Sequence, residues 1–124
     1  MAYLNDKLED VRFEQLVVCH CDINHNNWML EGEDYLYLID WDGAMVADPA
    51  LDLGLLLYSY VPENEWDNWL QQYGLTYNKE LSKRMHWYVV SHTISIIVWH
   101  IERNQLNQVV HLKEYLGDLL QRDE

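Results

Sequence analysis

The segment His20-Cys21-Asp22-Ile23-Asn24-His25-Asn26-Asn27 concentrates carboxylate, imidazole, thiol and amide groups, and Asp40 follows at the end of an apolar run. Transfer of a phosphoryl group asks little covalent chemistry of a protein. It needs a carboxylate that orients the attacking hydroxyl and oxygen ligands that hold Mg²⁺ against the phosphates. Asp22 has the first character; Asn27 and Asp40 have the second. Singly, each has a plainer explanation: an Asx-turn residue, a turn residue entering a strand, and a hairpin-end carboxylate in a surface pair. Those explanations serve poorly for the three together. Cys19, His20, Cys21, Asp22 and His25 also carry zinc-ligand chemistry, but the thiols lie two positions apart and no second Cys or His pair follows at zinc-site spacing. Free thiols flanking a strand account for them better. A cysteine nucleophile with His20 as its base is disfavoured, because neighbours on extended backbone point to opposite faces.

Positioning these groups falls to the elements on either side. Leu4, Leu8 and Val11 recur at helical spacing against Asp6, Lys7, Glu9 and Asp10, which predicts a short amphipathic helix at the start. Leu16, Val17 and Val18 lead into the polar loop. Trp28-Met29-Leu30 and Tyr35-Leu36-Tyr37-Leu38-Ile39 are β-prone runs separated by Glu31-Gly32-Glu33-Asp34, which predicts a β-hairpin. Its pairing brings Asn27, entering, close to Asp40, leaving, so an amide oxygen and a carboxylate meet at the open end. Asp48-Pro49 reads as an N-cap with proline at the first helical position, opening a helix through Leu51, Leu55 and Tyr58 that ends before Pro62. Further helices are expected over 63–73, stopping at Gly74; over 79–103, behind a cap at Asn78; and over 106–121, with Val109, Leu112, Leu116 and Leu119 inward.

The 124 residues suit one domain, and a composition 49% hydrophobic and 23% charged excludes disorder or a fibrous repeat. Eight Lys plus Arg against 21 Asp plus Glu give a net charge of -13, a surface that repels nucleic-acid backbones and anionic lipid headgroups. It suits divalent metals or an amine, or simply solubility. Two closely spaced cysteines and a start without a basic and apolar leader fit a reducing cytoplasm. The most apolar stretch, 89–101, contains His92, Ser95 and His100 and falls short of the roughly 20 residues that span a bilayer. His86, His92, His100 and His111 sit among apolar neighbours and read as core or boundary histidines. Trp66, Trp69, Trp87 and Trp99 could wall an ammonium-binding pocket, although aromatics at helical spacing are mostly core.

The spacing from Asp22 to Asn27 equals that of the protein-kinase catalytic loop, whose Asp and Asn are separated by four residues and followed by a hairpin to a metal-binding Asp. The loop at 20–27, then Leu38-Ile39-Asp40-Trp41-Asp42, then Asp48-Pro49-Ala50-Leu51-Asp52-Leu53 resemble, in order, the motifs of the aminoglycoside phosphotransferase and choline/ethanolamine kinase families. The resemblance implies an α+β, mainly α chain, the C-terminal lobe of a protein-kinase-like fold, whose small hairpin carries the metal site. It implies that residues 1–124 form that one catalytic lobe, with the nucleotide-binding lobe outside the sequence, so that the chain alone is inactive. It further implies transfer of the γ-phosphoryl group of ATP to a hydroxyl of a small molecule, choline/ethanolamine- or aminoglycoside-like, with choline, ethanolamine, a sugar or an antibiotic all open as acceptor. Asp22 would be the base, braced by His20, and Asn27 and Asp40 would hold Mg²⁺. Asp42 and Trp41 would lie around the metal or against substrate, and Asp52 would tie the next helix to the loop. Cys21 departs from the family, which has glycine there, so the loop must be built without that backbone freedom. The alternative is a binding or regulatory protein built on a truncated kinase lobe. For a lone lobe, self-association through its exposed face is expected.

Overall fold

The structure, a computed structural model, describes residues 2–122. It is mainly helical with two small antiparallel sheets, the α+β character expected. Helix α1 (Ala2–Lys7) is shorter than its apolar pattern suggested, and the chain tightens into a 3-10 turn at Glu9–Val11. Strand β1 (Val17–Cys19) pairs with β4 (Met45–Ala47), and β2 (Trp28–Glu31) pairs with β3 (Tyr35–Leu38) as the predicted hairpin.

Helix α2 (Ala50–Tyr60) starts as its sequence requires. The Asp48 carboxylate accepts from the Ala50 N–H at 2.8 Å, Pro49 precedes the first turn, and the helix stops before Pro62. Helix α3 (Trp66–Tyr73) ends at Gly74, whose φ of +102° lets the Gly74 and Leu75 N–H groups close back on Gln71 and Leu70. Helix α4 (Lys79–Glu102) is capped by the Asn78 side chain, which accepts from the Leu81 N–H at 2.8 Å. Helix α5 (Leu106–Gln121) returns along it and buries Val109 and Leu119, with Leu112 and Leu116 half-buried.

The larger core joins α2, α3 and α4 through Leu53, Leu57, Trp66, Leu70, Leu81 and Met85. Gly54 allows the closest approach, since a Cβ there would meet the Met85 carbonyl oxygen at 3.0 Å. A second cluster of Val89, Val90 and Leu119 seats Tyr3 and Leu4 of α1. His86 joins these parts, one ring nitrogen 2.6 Å from the Tyr3 hydroxyl and the other donating to the Leu119 carbonyl at 2.6 Å, so it is a satisfied core histidine. Among the described residues no helix is long and apolar enough to cross a membrane.

Candidate active site

Strand β1 delivers His20 into the interior, where both ring nitrogens bind backbone. Nε2 donates to the Ile39 carbonyl at 2.7 Å, and Nδ1 accepts from the Asp22 N–H at 3.1 Å. One imidazole thus joins the loop that carries Asp22 to the residue before Asp40. Asp52, in the first turn of α2, accepts from the His20 N–H at 2.7 Å and from the Cys21 N–H at 2.9 Å, pinning the loop to the helix. The backbone turns here through left-handed conformations, φ +73° at Cys21 and +61° at Asp40. Cys21 therefore stands where glycine would be unstrained, whereas Asp is among the residues that tolerate that region.

The Asp22 carboxylate is held from two sides. The Asn24 amide donates to Oδ1 at 2.9 Å, and the Asn27 amide donates to Oδ2 at 3.1 Å and to the Asp22 carbonyl at 2.8 Å. Asn24 was not singled out for a role in the sequence, yet its i to i+2 bond to the Asn26 N–H is an Asx turn of a readable kind. The Tyr60 hydroxyl accepts from the His25 N–H at 2.8 Å, a support from the end of α2 that no local pattern announces. At the hairpin mouth the Ile39 N–H donates to the Asn27 carbonyl at 2.7 Å, which bonds Asn27 to the residue before Asp40. Asp40 is exposed. Trp41 packs edge-on against His20, and Asp42 is exposed in the turn that the Ala44 N–H closes onto Trp41.

Both cysteine thiols are directed to backbone carbonyls. Cys19 is buried with its thiol directed to the Ala47 and Asp48 carbonyls, and burial, aided by the Asp52 carboxylate, pushes it up to about 11. Burial first, then Asp52, also raises the Cys21 thiol. Behind them Asp48 is fully buried and paired with Arg84 at 2.9 Å, while the Arg84 guanidinium also lies 3.8 Å from the Phe13 ring centroid.

Asp22 opens onto a cavity of about 1120 Å³ between the loop, α2, α4 and α5. Of the four tryptophans considered for a pocket, only Trp99 is among the residues lining it. Trp66 is in the core, Trp69 stacks on Tyr73, and Trp87 donates to the Leu4 carbonyl.

Residues 1–88 match the model of the phosphotransferase enzyme family, APH. The chain belongs to that family. Within this phosphotransferase-family chain, the match takes in the Asp22 loop, the hairpin, Asp52 and the start of α4. The cavity wall from Val89 to Tyr115 lies beyond it.

Asn27 and Asp40 offer oxygen ligands, and Mg²⁺ in phosphoryl-transfer sites takes one or two carboxylates and otherwise water and phosphate. No cage of three or more His, Cys, Asp or Glu forms among the described residues, so a site closed by protein ligands alone, as structural zinc requires, is not built here.

Proposed function

We propose that this chain forms the catalytic lobe of a protein-kinase-like, ATP-dependent enzyme that phosphorylates a hydroxyl of a small molecule. The observation that carries the reading is the placement of Asp22. Its carboxylate is fixed by the Asn24 and Asn27 amides and stands in the wall of a cavity large enough for a small acceptor. Asp22 orients the acceptor hydroxyl and takes its proton. Asn27 keeps that carboxylate in place through its nitrogen, which leaves its oxygen for Mg²⁺, and Asp40 supplies the second ligand. Mg²⁺ and ATP, when bound, supply the phosphoryl group and offset its charge. His20 and Asp52 hold the loop and the hairpin mouth together without touching the reacting atoms.

Two measurements test this. In the enzyme with its nucleotide-binding lobe present, phosphoryl transfer should fall at least about 100-fold in Asp22→Asn, with nucleotide affinity little changed. Mn²⁺, standing in for Mg²⁺, should quench the fluorescence of Trp28 and Trp41 saturably and more tightly with ATP, and Asp40→Asn should remove the effect. Normal transfer in both variants overturns the assignment.

Binding without catalysis is a second reading, favoured by one observation. Val18 and Val46, on facing strands of the β1–β4 sheet, are 68% and 62% exposed, an apolar face suited to a protein partner. Transfer activity that depends on Asp22 decides against it.

A further inference from the structure

Resting on the reading of Asp22 as base, we infer that the cavity takes an uncharged, hydroxyl-bearing acceptor with an apolar body, glycoside-like rather than an ammonium compound, and that His92 binds one of its hydroxyls.

Charge is the first argument. Among the described residues Asp22 is the only carboxylate lining the cavity. An amine carried into such a space needs a counter-charge, and a polyamine needs several; otherwise its desolvation is uncompensated. The one carboxylate present is already engaged with two amides and with the acceptor hydroxyl.

The aromatic rings provide the second argument, since they could still receive a cation through their faces. Three line the cavity: Tyr58, Trp99 and Tyr115. Two of them already carry a guanidinium of the chain itself. Arg103 lies 3.8 Å from the Trp99 centroid, and Arg122 lies 5.3 Å from the Tyr58 centroid. Each of these rings thus already has a cation of the chain against it, Arg122 being paired as well with Glu63 at 2.6 Å. The rest of the wall, with Ile23, Leu55, Val89, Ile96 and Leu112, offers contact to an apolar body.

Third, His92 is a lining side chain able to read a hydroxyl. Thr93 and Ser95 donate their hydroxyl protons to helix carbonyls one turn back, and His100 is bonded to Gln105. The half-buried His92 ring makes no hydrogen bond to a described residue. Burial, only partly offset by the Asp22 charge, lowers its pKa and keeps it uncharged at neutral pH, so one nitrogen donates and the other accepts. That combination matches a hydroxyl, and it lies in the part of the wall beyond the family match.

The test compares binding of phenyl β-glucoside, choline and kanamycin to the full chain by saturation-transfer NMR and titration calorimetry. The glucoside should bind at least about tenfold more tightly than choline or kanamycin. His92→Ala should weaken it about tenfold, the scale of one buried hydrogen bond, and His92→Gln, which keeps a donor and an acceptor, should weaken it less. Choline or kanamycin binding as tightly as the glucoside, no glucoside binding by folded chain, or an affinity unmoved by His92→Ala each overturns the inference. Transfer to choline that depends on Asp22 would sink this inference and leave the proposed function standing. Glucoside binding that depends on His92, with phosphoryl transfer by the lobe joined to its nucleotide-binding partner unchanged in Asp22→Asn, would sink the proposed function and leave only a glycoside-binding cavity.

Discussion

At Cys21 the polypeptide accepts a conformation that costs an L-residue roughly 1 kcal/mol or more, and two hydrogen bonds to Asp52 and His20 on either side hold it there. Cys21→Gly removes that strain and should raise the unfolding free energy by about 0.5 to 1 kcal/mol in urea titrations. His92 sets a pH dependence with a definite sign. Its pKa in the folded chain lies below the ordinary 6.5, so its contribution to stability is fully present above 6.5 and is lost as pH falls from there through the folded value. Wild type should therefore lose stability relative to His92→Gln over that acid range, measured by urea titration at a series of pH values. The side chains around Asp22 differed in how far the sequence disclosed them. Asp22, Asn27 and Asp40 could be picked out because their spacing is local and their chemistry joint. Tyr60 and Arg84 could not, since their partners His25 and Asp48 lie 35 and 36 residues away. Nor could composition separate Trp99, in the cavity wall, from Trp66, in the core, because both stand on helices among apolar neighbours.

The helices that carry this site depend on close approach between α2 and α4. Gly54 is the contact point, with Val89 Cγ2 at 3.2 Å and Met85 Cα at 3.3 Å from the place a Cβ would take. Alanine is the better helix former by about 1 kcal/mol, but overpacking against backbone costs about 1 to 3 kcal/mol, so the packing term wins. Gly54→Ala should lower the unfolding free energy by about 1 kcal/mol, read from thermal or urea denaturation, and an unchanged value would show that the helices can part freely. The longer elements were plain from caps and periodicity, as at Asn78 and Gly74. Strand β4 was missed because its three residues, Met45–Ala47, carry no alternating pattern and are defined by pairing with β1, far back in the chain. The same pairing made a strand of Val17–Cys19, where sequence showed only an apolar approach to the loop.

For the molecule as a whole, two surface properties oppose each other. Val18, Val46, Leu30 and Leu36 present apolar area on the outward faces of both sheets, while a net charge of -13 keeps copies apart. Screening weakens only the second, so light scattering should show self-association growing with salt concentration and suppressed by Val18→Lys. A strict monomer at every salt concentration would count against a sticky face. The bonds from Asp52 to the His20 and Cys21 backbone reach across 32 and 31 residues, and that separation has a consequence in time. Closing so long a loop is entropically slow to be repaid, so these bonds belong to the late side of the folding barrier, after the local helices have formed. Asp52→Asn should leave the refolding rate nearly unchanged and speed unfolding about tenfold in stopped-flow experiments. A chain leaving the ribosome would then carry residues 20–27 as unorganised peptide until α2 had emerged behind them, and on heating the same segment would let go first, so that this loop is the last part to be organised and the earliest to be lost.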